Sequence, residues 1–314
     1  MKVYITGIAG FIGFHTAIKY AKAGHEVRGC DNFNDYYDPS LKRARTHILE
    51  AYGVTVEYRD LKAVYFPINT FRPDLVIHLA AMAGIRYSMD HPKMYIENNI
   101  MGSQCLIEAC ERFEVPNVIY ASTSSVMNGQ PLPWGEDEPL GSQLSPYGYT
   151  KAANEDQFNI SKIPNVAGIR FFTVYGPFGR PDMALFKFTK NITEGKPITI
   201  FDNGNMFRDF TYIDDIVQGI HLVSQNMTHR DIYCLGNGKR VNLLDFVEAI
   251  ENNVDKKAII EFAEPHPADA KETWALTRKI EELGYKSTVD MEEGVFKFCN
   301  WYKGWYNTNL GANQ

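Results

Sequence analysis

Val3-Tyr4-Ile5-Thr6-Gly7-Ile8-Ala9-Gly10-Phe11-Ile12-Gly13 reads as a short apolar strand that breaks into a glycine turn and continues as a helix. The glycines fall as G-x-x-G-x-x-G. At such a junction glycine permits the tight turn, lets backbone approach a pyrophosphate and allows close helix–strand packing. The helix N-terminus adds amide donors and a positive dipole for the phosphates. A glycine triplet alone is weak, but between a strand and a helix it marks a dinucleotide site, with Phe11 and Ile12 carried on the same loop. Asp31 ends the next strand, Val27–Asp31, near the separation expected of a carboxylate that accepts from ribose hydroxyls. Such a carboxylate repels the 2′-phosphate of NADP. Arg28 and Lys42 are the nearest counter-charges and neither follows the strand directly, so NAD is the expected cofactor.

Working outward, β-like runs alternate with helical stretches through the first half of the chain. Strands are expected at Val3–Thr6, Val27–Asp31, Val54–Tyr58, Leu75–Ala80 and Asn117–Ser122, with helices at Gly13–Ala23, Leu41–Tyr52 and Lys93–Phe113. Near-continuous apolar strands in βαβα order predict an α/β fold with a doubly wound parallel sheet, covered on both faces. After about Arg170 the alternation loosens into a loop-rich region. There a strand is expected at Ile198–Phe201, and helices after Asp214-Asp215, at Leu243–Asn253 and at Thr277–Leu283. The expected organisation is a cofactor domain over 1–170, rejoined by the chain around 211–235, and a smaller α/β substrate lobe over 171–314.

The totals agree with a globular enzyme-sized chain: 314 residues, 45% hydrophobic, 22% charged, net charge −6. A negative body argues against nucleic-acid binding. No apolar run approaches the roughly 18 residues of a membrane span. The N-terminus lacks the apolar core of a signal peptide. The five cysteines form no C-x-x-C pair and the histidines show no ligand spacing, so a cytoplasmic protein without a metal site is expected.

Tyr147 and Lys151 stand one helical turn apart after Pro146, on one face. A free tyrosine, with a pKa near about 10, is a poor base at neutral pH. A neighbouring ammonium is expected to favour the phenolate, which then takes a proton from an alcohol as hydride leaves the same carbon.

Together, the glycine loop, Asp31 and the Tyr147/Lys151 pair resemble the short-chain dehydrogenase/reductase superfamily. Within it the chain is similar to the extended branch of nucleotide-sugar epimerases, dehydratases and decarboxylases. His78-Leu79-Ala80-Ala81, Asn99-Ile100-Met101-Gly102 and Arg208-Asp209-Phe210-Thr211-Tyr212-Ile213-Asp214-Asp215 extend the resemblance to about residue 300. Asp31-Asn32-Phe33-Asn34-Asp35-Tyr36-Tyr37-Asp38-Pro39, Ala83–Ser88 and Arg170–Phe186 look most like the UDP-glucuronate 4-epimerases. The resemblance implies a Rossmann-type fold and NAD contacts from Asn32, Asp60, Leu61, Leu79, Ala80, Ala81 and Asn99, besides the residues above. It also implies a catalytic hydroxyl beside Tyr147 and Lys151. In Tyr120-Ala121-Ser122-Thr123-Ser124-Ser125-Val126 that place falls to Thr123.

Related dehydratases carry Asp-Glu where Ser124-Ser125 stand, and decarboxylases usually carry Glu at the place of Ser125. What the resemblance leaves is oxidation and re-reduction at C4 of a UDP-sugar. Ser124, Ser125, Thr173 and Arg180 are then the candidates for holding a sugar carboxylate, and Arg208 for the diphosphate. The resemblance makes Arg86, Asp269 and Arg278 further candidate substrate contacts. Three departures stand out: Val126-Met127-Asn128 for Val-Tyr-Gly, an early Ile163-Pro164-Asn165 turn, and Leu276 in place of an acid. Epimerisation of a neutral UDP-sugar, C4-oxidising decarboxylation and non-catalytic NAD sensing stay open as alternatives. The resemblance further suggests a homodimer formed by the helices at Lys93–Phe113 and after Tyr147.

Overall fold

The structure, a computed structural model, describes residues 1–306; the expected lobe's residues 307–314 lie outside the described residues. Seven parallel strands form the main sheet: β1 (Lys2–Thr6), β2 (Glu26–Asp31), β3 (Thr55–Tyr58), β4 (Leu75–His78), β5 (Asn117–Thr123), β6 (Asn165–Phe171) and, later in the chain, β11 (Arg230–Leu235). Their spatial order is β11-β6-β5-β4-β1-β2-β3. Side chains alternate across β1: Val3 and Ile5 enter one core, Tyr4 the other. Apolar residues on both faces, as in the wholly buried Leu75–His78, require cover on both sides.

That cover comes from α1 (Phe11–Lys22), α2 (Ser40–Ala51), α3 (Tyr65–Phe71), α4 (Ile85–Asp90), α5 (Pro92–Tyr95), α6 (Gly102–Arg112), α7 (Pro146–Ile160) and the later Ile213–Gln225. The doubly wound parallel sheet is as expected. Three two-stranded sheets make the rest: β7 (Thr173–Tyr175) with β10 (Phe210–Tyr212), β8 (Pro197–Phe201) with β13 (Ile259–Ala263), and β9 (Phe207–Arg208) with β12 (Val241–Asn242).

Two local expectations are corrected. The single helix over Lys93–Phe113 is α5, then a π-helical Ile96–Met101, then α6. The wider π turn contains the buried Asn99, and such bulges occur frequently at functional sites. The helix expected at Thr277–Leu283 shortens to Arg278–Glu281 and stops before Gly284, whose φ is +93°.

Candidate active site

Order β4-β1-β2 places a topological switch beside β1, where open α/β sheets bind ligands at the carboxyl ends of their strands. A cleft of about 1080 Å³ lies there. Single small-molecule sites occupy about 300–1,000 Å³, so this one has room for more than one ligand.

Gly7 begins the cofactor end with φ +70°, and a Cβ there would stand 2.8 Å from the Ala80 amide nitrogen. A Cβ on Gly13 would meet the Gly7 carbonyl oxygen at 2.3 Å. Both positions therefore exclude side chains. Gly10 caps α1 without a side-chain hydrogen bond, so the first-turn amides have no competitor for a phosphate. Phe11, Ile12, Leu79, Ala80, Ala81, Asn32, Asp60 and Leu61 all line the cleft. Asp60 accepts from the Lys62 amide (2.9 Å) and from Asn32 Nδ2 (3.4 Å), which ties the ends of β2 and β3 together. This cradle fits a dinucleotide.

Lys42 departs from the sequence reading. From α2 it reaches Asp31 in a buried pair, with Nζ donating to Oδ1 at 3.2 Å. The Phe33 amide donates to the same oxygen at 2.8 Å. Both bonds fall on Oδ1, so the carboxylate is held in place with Oδ2 free of either.

Asn99 and Arg278 are the two expected contacts that do not line the cleft. Asn99 accepts from Met82 N (2.8 Å) and donates to Met82 O (3.0 Å) and Thr150 Oγ1 (3.0 Å). Its polar atoms are spent inside the fold, bracing the Leu79–Met82 segment from behind. Arg278 is exposed at the start of its short helix and does not line the cleft.

At the redox end, Ser145 caps α7 by accepting from Gly148 N (3.1 Å), and Pro146 starts the helix. Tyr147 therefore sits in the first turn and Lys151 one turn on, with the Tyr147 amide donating to Ser88 Oγ (3.2 Å). Strand β5 brings Thr123 opposite. The Thr123 hydroxyl donates to Ser125 Oγ (3.3 Å) and accepts from Ser125 N (3.2 Å). Ser124 and Ser125 continue along the cleft wall, with Thr173 also lining it.

The electrostatics differ from the expectation that Lys151 depresses Tyr147. Burial pushes the Tyr147 phenol above its ordinary value; the Thr123 side chain and the Arg180 charge act against that rise. Lys151 is itself lowered to about 8 by burial, opposed by the Glu155 carboxylate. Its ammonium donates to Ala121 O at 2.8 Å and to Asn154 Oδ1 at 3.5 Å. Desolvation disfavours the charged form of both groups, and neither cancels it for the other.

Beneath the pair lies a buried ion pair absent from the sequence reading. Glu155 accepts from Arg170 Nε (3.0 Å) and Nη2 (2.9 Å) and from Ser122 Oγ (2.5 Å). Breaking one side of such a pair costs about 3–5 kcal/mol, so the arrangement is stiff. It clamps α7, which carries Tyr147, to β5 and β6. It also separates the hydroxyls of the run: Ser122 and Thr123 both line the cleft, but the Ser122 hydroxyl is spent on the clamp.

On the substrate side, Arg180 donates to Asp182 Oδ1 (3.0 Å) and Oδ2 (2.6 Å) and to Ala83 O (3.1 Å). Tyr36 donates to Asp182 Oδ2 (3.0 Å). Tyr36 and Asp182 lay within quoted motifs but carried no assignment, because their meeting spans distant sequence. Farther along, Arg86 pairs with Asp269 and lies over the Phe201 ring, 4.0 Å from its centroid. Arg208 donates to the carbonyls of Phe207 (2.9 Å) and Lys271 (3.0 Å). Asp209 turns away from Arg208 and accepts from Thr211 and from the amides of Asn237, Gly238 and Ala275; burial pushes it up to about 6. A surface pair between the two is therefore absent. Among the described residues no cluster of His, Cys, Asp and Glu could hold a metal, and no helix is long and apolar enough to cross a membrane.

Fold and cleft define a dinucleotide-binding α/β protein with a Thr/Tyr/Lys constellation. The chain belongs to the NAD dependent epimerase/dehydratase family, whose model matches residues 3–236. UDP-glucuronate 4-epimerase 1 of Arabidopsis thaliana is 40% identical over 99% of this chain and 79% of its own. A solved structure of UDP-glucuronic acid 4-epimerase from Bacillus cereus, in complex with UDP-glucuronic acid and NAD, superposes with a TM-score of 0.90 at 33% identity, covering 96% of this chain and 99% of that one. The UDP-glucose 4-epimerase of Thermus thermophilus, in complex with NAD, gives 0.88 at 26% identity, covering 97% and 100%.

Proposed function

We propose that this protein is an NAD-dependent 4-epimerase of a nucleotide sugar, interconverting UDP-glucuronate and UDP-galacturonate by transient oxidation at C4. The observation that carries this reading is the uncharged run Thr123-Ser124-Ser125 lining the cleft with Tyr147 and Lys151. That run supplies a proton path at C4 and carries no carboxylate to drive elimination.

Bound NAD supplies the hydride acceptor, and then the donor, for the two half-reactions. Asp31 would accept from the adenine-side ribose, and the α1 amides would take the diphosphate. Tyr147, as phenolate, removes the C4 hydroxyl proton and later returns it. The Thr123 hydroxyl holds the C4 oxygen and bridges it to the phenol. Lys151 holds the phenolate with its ammonium. The 4-keto sugar turns over between the two half-reactions, exposing its opposite face. Because that intermediate is a β-keto acid, the carboxylate must be held with its C–C bond out of line with the carbonyl π system. Ser124, Ser125 and Thr173 do this by orientation, and Arg180 stands by, fixed on Asp182. Arg86, Arg208 and Asp269 take the nucleotide diphosphate and ribose. In this division residues 1–170, with the chain's return around 211–235, hold NAD, and residues 171–314 hold mainly the nucleotide sugar, which Arg86 and the Thr123–Ser125 run also meet from the first domain.

Incubation with UDP-glucuronate and with UDP-glucose separately, followed by chromatographic resolution, tests the reading. UDP-galacturonate is the expected product, with UDP-glucose turned over at least about tenfold more slowly. That factor corresponds to about 1.4 kcal/mol, less than one charge-assisted hydrogen bond. Steady release of CO2 and a UDP-pentose, or a preference for UDP-glucose, overturns it.

The outward faces of α5, the π segment and α7 expose Met94, Met101 and Tyr149. These support a homodimer through that surface, which a monomeric mass in sedimentation at micromolar concentration would reject. The five cysteines, all unpaired, support a reducing, cytoplasmic setting, which cell fractionation tests.

A further inference from the structure

Arg45, on α2, takes no part in the chemistry above, yet it is fully buried. Its Nη1 donates to Ala9 O (2.8 Å) and Tyr37 Oη (2.9 Å), and its Nη2 to Phe178 O (2.6 Å). Nε is buried with no partner among the described residues. Every one of these acceptors is neutral. A buried cation is costly unless a counter-charge answers it, and a purely structural arginine is normally met by a carboxylate.

The two backbone anchors belong to the two ligand-facing loops. Ala9 lies inside the glycine loop, between Gly7 and Gly10. Phe178 lies in the turn that leads to Arg180 two residues later. Phe178 has φ +59°, a left-handed conformation that a bulky residue adopts only when its surroundings hold it. Arg45 supplies part of that hold at the Phe178 carbonyl, and His15 Nε2 meets the preceding Pro177 O at 2.9 Å. From this turn Arg180 reaches Asp182 and Ala83, and its charge bears on Tyr147. One side chain thus links the pyrophosphate loop to the loop that positions the cation beside the catalytic phenol.

We propose that Arg45, which does not itself line the cleft, is a positioning residue that couples cofactor binding to the Arg180 loop through its bonds to Ala9 O and Phe178 O, its buried charge answered across the glycine loop, without contact, by the cofactor diphosphate. The inference rests on the NAD reading above. Binding is reciprocal: if NAD sets the substrate-side loop, it raises the affinity for UDP by the factor by which UDP raises that for NAD.

Calorimetric titration of nucleotide-free protein with NAD, and with UDP in the absence and presence of saturating NAD, tests it without reference to turnover. Arg45→Met is expected to weaken NAD about tenfold or more and to abolish the NAD effect on UDP. Arg45→Lys keeps the charge but cannot span three acceptors, so it regains NAD affinity and not the coupling. An Arg45→Met protein with wild-type circular dichroism, wild-type NAD affinity and an unchanged NAD effect on UDP overturns the proposal. So does a wild-type protein whose UDP affinity ignores NAD. Where Arg45→Met does not fold, Arg45→Lys decides, and wild-type coupling in it is the overturning result. A wild-type protein that binds no NAD at all overturns the cofactor reading itself, an outcome distinct from the others.

Discussion

Tyr147→Phe lowers turnover of UDP-glucuronate by about 10²–10⁴-fold, the usual contribution of a positioned acid–base group, while NAD still binds. The substitution removes one oxygen and keeps the ring, which packs edge-on against Tyr95 with centroids 6.3 Å apart. The Tyr147 amide also keeps its bond to Ser88. What is lost is the proton acceptor at C4, so kcat falls and the fold does not. Product chromatography with a parallel NAD titration measures both quantities. A phenylalanine variant with full activity would remove Tyr147 from the chemistry.

Lys151→Met produces a loss of similar size, about 10²–10⁴-fold at pH 7.5, and moves the pH dependence with it. Burial lowers Lys151 to about 8 and raises Tyr147 above its ordinary value near 10. The two groups sit together and titrate as a pair. The active state holds one proton between them; these shifts leave it mostly on the phenol, and the reactive form is the minor one with it on the lysine. As pH rises through about 8 the doubly protonated pair loses its first proton, so kcat/KM climbs through that range in the wild-type enzyme. Without Lys151 only the phenol remains, and its pKa lies above 10, so the climb moves to higher pH. A pH–rate series on both proteins reads the displacement. An unmoved profile in the methionine variant would show that Lys151 does not share the proton.

Much of the site was legible in one dimension because the physical demands are local. A turn needing φ +70° at Gly7 and a close approach at Gly13 can be met only by glycine. The cap at Ser145 and the proline after it start α7, and helical spacing then puts Tyr147 and Lys151 on one face. The hydroxyl run after β5 is equally local. Its members differ only in what lies opposite them: the resemblance singled out Thr123, and Glu155 on the facing helix then takes the Ser122 hydroxyl.

Asn99 shows the reverse. Its motif matches a cofactor-side pattern, and only the structure shows its amide bonded to Met82 and Thr150 across the fold. Arg278 likewise stands at a matching position and points its charge to solvent outside the cleft.

By itself the sequence determined the strand–turn–helix cradle, the doubly wound parallel sheet, the helical spacing of Tyr147 and Lys151 and the absence of acids beside Thr123. Each follows from steric permission, hydrophobic period or residue identity over a few positions. Only the tertiary structure decided the contacts between residues far apart in the chain: Tyr36 with Asp182, Arg45 with Phe178, Glu155 with Arg170. It also set the burial that pushes Tyr147 up and Lys151 down. Desolvation is set by everything that surrounds a group, and what surrounds Tyr147 and Lys151 is assembled from β5, β6, α7 and the Arg180 loop.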